Sequence, residues 1–198
     1  MYSSDYRERA RQSLSGRWFE PIMVNVILIM ISASTGWITE VIPQLSIFSI
    51  TISGPLYLGV AFYFSQFVVN NDRGISDMFY GFNFLWGKSI VLFFFTGLFT
   101  LLWLLCFIVP GIIKAFAYAM APYILADVPT MSAFDALDES QTMMEGRKWE
   151  LFKLGFSFIG WFLLSILSFG ILLIWIIPYM QTAFAAFYQQ NKIKKGTI

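Results

Sequence analysis

The stretch KSIVLFFFTGLFTLLWLLCFIVPGIIKAFAYAMAPYILAD, residues 88–127, decides the fold. Between Lys88 and Asp127 it carries one charge, Lys114, and one turn signal, Pro110-Gly111. About 20 apolar helical residues cross the hydrocarbon core of a bilayer. A charge-poor run of twice that length with a turn at its middle therefore reads as a membrane hairpin, with spans at 89–109 and 111–126.

The charges around this hairpin extend the pattern. Twelve of the thirteen Lys and Arg residues fall in four clusters: Arg7/Arg9/Arg11/Arg17, Arg73/Lys88, Arg147/Lys148/Lys153 and Lys192/Lys194/Lys195. Lys114 alone lies outside them. Basic residues stay on the cytoplasmic side of a membrane, so apolar runs between such clusters imply paired crossings. The expected fold is all-α: a polytopic membrane bundle of six transmembrane helices, arranged as three hairpins with interfacial amphipathic helices, both ends cytoplasmic. The spans read as about 21–39, 55–71, 89–109, 111–126, 154–168 and 171–188, forming a single membrane domain over 1–198. The cytoplasmic or interfacial segments are 1–20, 72–88, 127–153 and 189–198. The long polar start does not read as a secretory signal.

Composition agrees: hydrophobic residues make up 58% and charged residues 13%, against about 45–50% and about 25% in soluble domains. Residues 2–18 space Tyr6, Ala10, Leu14 and Trp18 as one face of an interfacial helix. Ile75, Met78, Phe79, Phe82 and Trp86 form a second such face. The segment 40–54 lacks Lys and Arg and reads as an outside connection, with Pro55 opening the second span. Residues 154–188 admit one long span or two short ones around Phe169-Gly170; two keep the last lysines inside. A repeat favours two. Pro110 to Ala115-Phe116-Ala117 matches Pro178 to Ala183-Phe184-Ala185, and Pro55 with Ala61-Phe62 is a looser third copy. Repeats recur in membrane folds whose symmetry creates a central site.

Chemistry-bearing residues are few. There is no histidine, and one cysteine, Cys106, allows neither an intrachain disulfide nor a thiolate metal cluster. No catalytic constellation, metal site or cofactor motif is legible, and no intramembrane carboxylate marks a proton relay. Lys114 and Glu40 read as a ligand-binding pair at the outer face, the lysine stem reaching for headgroups. Ser132 is placed to cap a helix carrying Phe134, Leu137 and Met144 on one face, with Arg147 and Lys148 following, a candidate partner-docking element over 131–148. The acids Asp135, Asp138, Glu139 and Glu145 read as its solvated side. Asn25, Gln66 and Asn70 suit interhelical hydrogen bonds, and Gly54, Gly59, Gly97, Gly111, Gly155 and Gly160 suit close helix packing. Nucleic-acid binding is not indicated.

These residues resemble DUF975, a family of integral membrane proteins of unknown function found mainly in Gram-positive bacteria. The resemblance rests on Leu14-x-Gly16-x-Trp18, Gly54-Pro55-Leu56, Asp77-x-Phe79-x-Gly81-Phe82 and Ile108-Val109-Pro110-Gly111-Ile112-Ile113-Lys114. It continues through Met120-Ala121-Pro122-Tyr123, Ser140-x-x-Met143-Met144-x-Gly146-x-Lys148, Ser157-Phe158-Ile159-Gly160-Trp161 and Pro178-Tyr179. Arg147 stands where the family pattern has histidine. The resemblance implies fold and a bacterial cell-membrane location, and no activity. The expected function is non-enzymatic: binding membrane lipids or a membrane protein partner, itself included, in an envelope-related role. The alternatives are a small transporter or channel for an amphiphile or peptide, and the membrane subunit of a larger complex.

Overall fold

The computed structural model describes residues 3–42, 46–69, 74–83 and 85–195, which form helices and no strand. Helix α1 is Ser3–Leu14, α2 is Phe19–Val41 and α3 is Ser46–Val69. A 3-10 helix, Ile75–Phe79, runs into the short α4, Tyr80–Asn83. Then come α5 (Trp86–Cys106), α6 (Ile108–Tyr118), α7 (Ala121–Asp127) and α8 (Ala133–Met143). The chain closes with α9 (Lys148–Phe156), α10 (Ile159–Leu167) and α11 (Leu173–Lys195).

Five stretches are long and apolar enough to cross a membrane: Phe19–Ile38, Phe48–Val69, Trp86–Cys106, Ile108–Asp127 and Lys148–Leu167. Their exposed surfaces are apolar. Trp37, Leu105, Ile108, Ile166, Leu167 and Phe169 all stand open on α2, α5, the start of α6, α10 and the turn after it. Hydrocarbon accommodates such a surface, and helices satisfy their own backbone within it. The chain is membrane-embedded. Of the six expected spans, the last is different: α11 has 23 residues, about 34 Å, but it carries Gln181, Thr182, Gln189, Gln190, Asn191 and Lys192. It lies against α3 and α1, with α2 also in contact, as an internal helix.

The hairpin turns sit where backbone chemistry puts them. Phe107 is extended between α5 and α6, and Pro110 falls in the first turn of α6, not at the turn itself; an absent N–H is harmless there. Cys106 is the exposed last residue of α5, not mid-span. The break between α10 and α11 is real: Gly170 N–H bonds Ser165 O at 2.8 Å and Phe169 N–H bonds Ile166 O at 3.2 Å. That is a Schellman ending, with Phe169 at φ 53° and Gly170 at φ 83°. Pro55 does not open a helix. It lies inside α3, which begins at Ser46, so most of the expected 40–54 connection is helical.

Expected interfacial elements are buried against protein. Tyr6, Ala10 and Leu14 are buried on the face that α1 presents to α11 and α9, and Gly16 at φ 78° turns the chain into α2. Ile75–Phe79 and Tyr80–Asn83 are wedged on α3 with Met78 fully buried, while Phe79 and Trp86 of the expected face stay exposed. Glycines allow this approach: a Cβ at Gly59 would overlap the Met78 carbonyl, and one at Gly81 the Pro55 carbonyl. Gly54 meets the Ile90 backbone and Gly111 that of Leu104, whereas Gly97, Gly155 and Gly160 face nothing within 4 Å.

The run 108–127 splits because Pro122 cannot donate to Tyr118, the last residue of α6, and its ring crowds that carbonyl. A side chain repairs the gap. Buried Ser140 on α8 donates to Ala117 O at 2.7 Å and accepts from Met120 N–H at 3.2 Å. Ser132 caps α8 as expected, accepting from Asp135 N–H at 3.1 Å. Asn25 bonds within its own helix, to Pro21 O, not across helices; Asn70 lies outside the described residues. In thermal unfolding in detergent, Ser140→Ala is expected to cost about 1–3 kcal/mol, because two buried backbone groups lose their partner. Gly59→Ala should abolish the folded monomer, whereas Gly97→Ala should be tolerated.

Candidate functional site

Several polar side chains along α11 find protein partners. Gln189 Nε2 donates to Ser65 Oγ at 2.7 Å and Ser65 O at 3.2 Å on α3. Asp127, at the end of α7, is nearly fully buried, accepting from Tyr188 Oη at 2.7 Å and pairing with Lys192 Nζ at 3.0 Å. Arg147 donates to Asn191, and Arg7 and Arg11 reach Tyr179. Lys88 donates to the Pro129 and Thr130 carbonyls. Three of the four basic clusters thus meet on α11. On α1, Tyr6 Oη donates to Glu150 Oε2 at 3.5 Å. Burial, then the Glu150 carboxylate, push this phenol up to about 12, so it stays a neutral donor.

The expected Lys114–Glu40 pair does not form. Lys114 Nζ donates to Gln141 Oε1 at 2.6 Å, and lies 5.5 Å from the Trp103 ring and 5.7 Å from the Tyr118 ring. Gln141 in turn donates to Asp138 Oδ1. The lysine is held by α8, the very segment read as cytoplasmic, while Glu40 stands exposed near the far end of α2. No hydrogen bond or ion pair joins the two among the described residues.

The docking face is also spent. Leu137 and Met144 are buried within the chain, because α8 folds onto α5, α6 and α7. Phe134 is half exposed but packs on Phe95 at 4.8 Å. Arg147 is engaged with Asn191, and Lys148 borders an apolar hollow beside Trp149 and Phe152. Asp135 and Asp138 stay on the exposed side, as expected.

A different site emerges between α3, α6, α7, α9 and α11. A cavity of about 370 Å³ opens there, within the size range of small-molecule sites. Its wall includes Ala61, Ala115, Phe116 and Phe184, so all three copies of the proline-to-Ala-Phe repeat contribute to it. Tyr57 and Tyr123 add phenols, and Gln181 adds a carboxamide. Gln181 Oε1 is buried and has no hydrogen-bond partner among the described residues. Among the described residues, no charged side chain lines the cavity. Chemically it can take a neutral, mostly apolar molecule that donates a hydrogen bond. The repeat was legible in the sequence, but only folding shows that its small residues face one space.

Residues 104–195 match the family described as "Protein of unknown function (DUF975)". Over these residues, just under half of its length, the chain is similar to that family. The match takes in α6–α11, Lys114, Gln181 and two of the three repeat copies; the resembling motifs at 14–82 lie outside it. Neither the curated proteins nor the solved structures gave a match.

Two substitutions separate the polar contacts in thermal unfolding. Lys192→Met should cost about 3 kcal/mol, since it leaves the buried Asp127 carboxylate without its cation. Lys114→Ala should cost less, about 1–2 kcal/mol, the scale of a partly desolvated cation–π contact.

Proposed function

We propose that this chain is a non-enzymatic multi-pass membrane protein that binds a membrane-borne amphiphile in the cavity between its three repeat copies. The observation that carries this reading is the convergence of Ala61, Ala115, Phe116 and Phe184 on one space that holds the unpartnered Gln181 oxygen. The ligand class follows from the wall: a neutral lipid or lipid-like molecule whose polar end offers a hydroxyl or amide N–H. Buried polar groups are costly when unpaired, so such a donor gains from Gln181 what the protein does not supply. Bacterial cell-membrane location and cytoplasmic ends fit the convergence of basic clusters on α11, and an envelope-related role accords with that location.

Native mass spectrometry of the protein in mild detergent tests the reading. The wild type should carry a stoichiometric neutral lipid adduct, which Ala61→Phe removes by filling the cavity. Gln181→Leu, a milder change, should weaken the adduct, while Lys114→Ala should leave it intact. A bare wild-type protein, or an adduct indifferent to Ala61→Phe and Gln181→Leu, would rule the cavity out as the binding site. A reporter fused after Lys195 should be cytoplasmic; an outside signal would overturn the orientation.

A second reading, transport of the same amphiphile, is favoured by the repeated construction of the cavity wall. Lipid flux in reconstituted vesicles that Ala61→Phe abolishes would place transport ahead of simple binding.

A further inference from the structure

Arg7 and Arg11 lie one turn apart on α1 and converge on a single neutral group. Their Nε atoms donate to Tyr179 Oη at 3.4 and 3.1 Å. The hydroxyl itself donates to the Arg7 carbonyl at 3.3 Å. The Arg7 guanidinium lies 5.7 Å from the Phe158 ring, and that of Arg11 lies 5.9 Å from the Tyr179 ring. A phenol and two ring faces do not neutralise two adjacent cations. Neither guanidinium has a carboxylate partner among the described residues. The carboxylate that α9 brings to α1, Glu150, accepts from Tyr6 instead.

A second cavity, about 340 Å³, opens beside this pair. Arg11 and Tyr179 stand in its wall with Trp18, Trp161 and Trp175. Trp161 and Trp175 remain partly exposed, and tryptophan favours the level of lipid headgroups. Two guanidinium forks that lack a carboxylate, Arg7 half-buried and Arg11 exposed, lie beside an indole wall and define an amphiphilic anion site. Guanidinium matches phosphate in charge and in its planar, paired donors, while the indoles match glycerol and the upper acyl chain. The cavity shares no lining residue with the one between the repeats.

We propose that Arg7, Arg11 and the Trp18/Trp161/Trp175 wall bind the phosphodiester headgroup of an anionic phospholipid. A zwitterionic headgroup brings a second cation toward the arginines and is disfavoured. Inorganic phosphate suits the forks but leaves the indole wall unused. Lipid seated here fastens α1 to α11 and sets the depth of the bundle at the headgroup level.

The test offers the purified protein an equimolar mixture of phosphatidylglycerol and phosphatidylcholine and reads the adducts by native mass spectrometry. The wild type should select phosphatidylglycerol. Its preference should fall roughly fivefold for each guanidinium removed in Arg7→Gln and Arg11→Gln, the scale of one basic residue at an anionic surface. Trp161→Ala should lower occupancy by phosphatidylglycerol and keep the preference. If the double glutamine variant does not fold, Arg7→Lys/Arg11→Lys retains the charge; it should keep the anionic preference at lower occupancy. Equal binding of both lipids by wild type, or an unchanged preference in a monodisperse double glutamine variant, overturns the proposal. A stoichiometric adduct with inorganic phosphate alone, displacing phosphatidylglycerol and unaffected by Trp161→Ala, also overturns it and assigns the site to a free anion.

Discussion

Everything in this bundle depends on how one polar helix is kept inside an apolar one. Helix α11 carries amide, hydroxyl and ammonium groups that hydrocarbon would penalise heavily. Its neighbours answer nearly all of them in place: Ser65 from α3, Asp127 from α7, Arg147 from the turn before α9, and Arg7 and Arg11 from α1. Each answering group lies far from α11 in sequence. The contacts therefore do not merely decorate the helix; they fix which elements surround it.

Close backbone approach is the second constraint. Gly54, Gly59 and Gly81 bring α3 against the 75–83 segment and α5 at distances no side chain permits. Pro55, inside the continuous α3, lies in the same contact, since Gly81 packs on its carbonyl. At the break between α6 and α7, Ser140 satisfies backbone groups of Ala117 and Met120. The irregularities are thus paired with partners, and these pairings draw α8 up onto α5, α6 and α7. That in turn gives Lys114 to Gln141.

Both cavities are products of this scaffold. Small residues leave room between the repeat copies, and Gln181 Oε1, a buried polar atom that the packing does not satisfy, is left facing that room. At the other site, two arginines share a hydroxyl because α1 is pressed onto α11 by the burial of Tyr6, Ala10 and Leu14. Stability and binding capacity arise from the same contacts, so the useful variants are those that fill or neutralise a cavity without touching the glycines or α11.

Sequence alone determined what local physics controls. Charge-poor apolar runs specify membrane helices, Phe169-Gly170 breaks the last run, and Ser132 caps α8. Periodicity also marked the buried face of α1, and Leu137 and Met144 on the face read for α8, though not Phe134, which is half exposed. It left open what those faces meet, since an apolar stripe suits lipid and protein equally. Tertiary structure decided that, burying Leu137, Met144 and Tyr6 in the chain itself. It also separated Lys114 from Glu40 and made Asp127 a buried counterion, because such partners are set by which helices pack together. The repeat could be read from spacing; the cavity it builds required the fold, since only packing brings Ala61, Ala115 and Phe184 to one place.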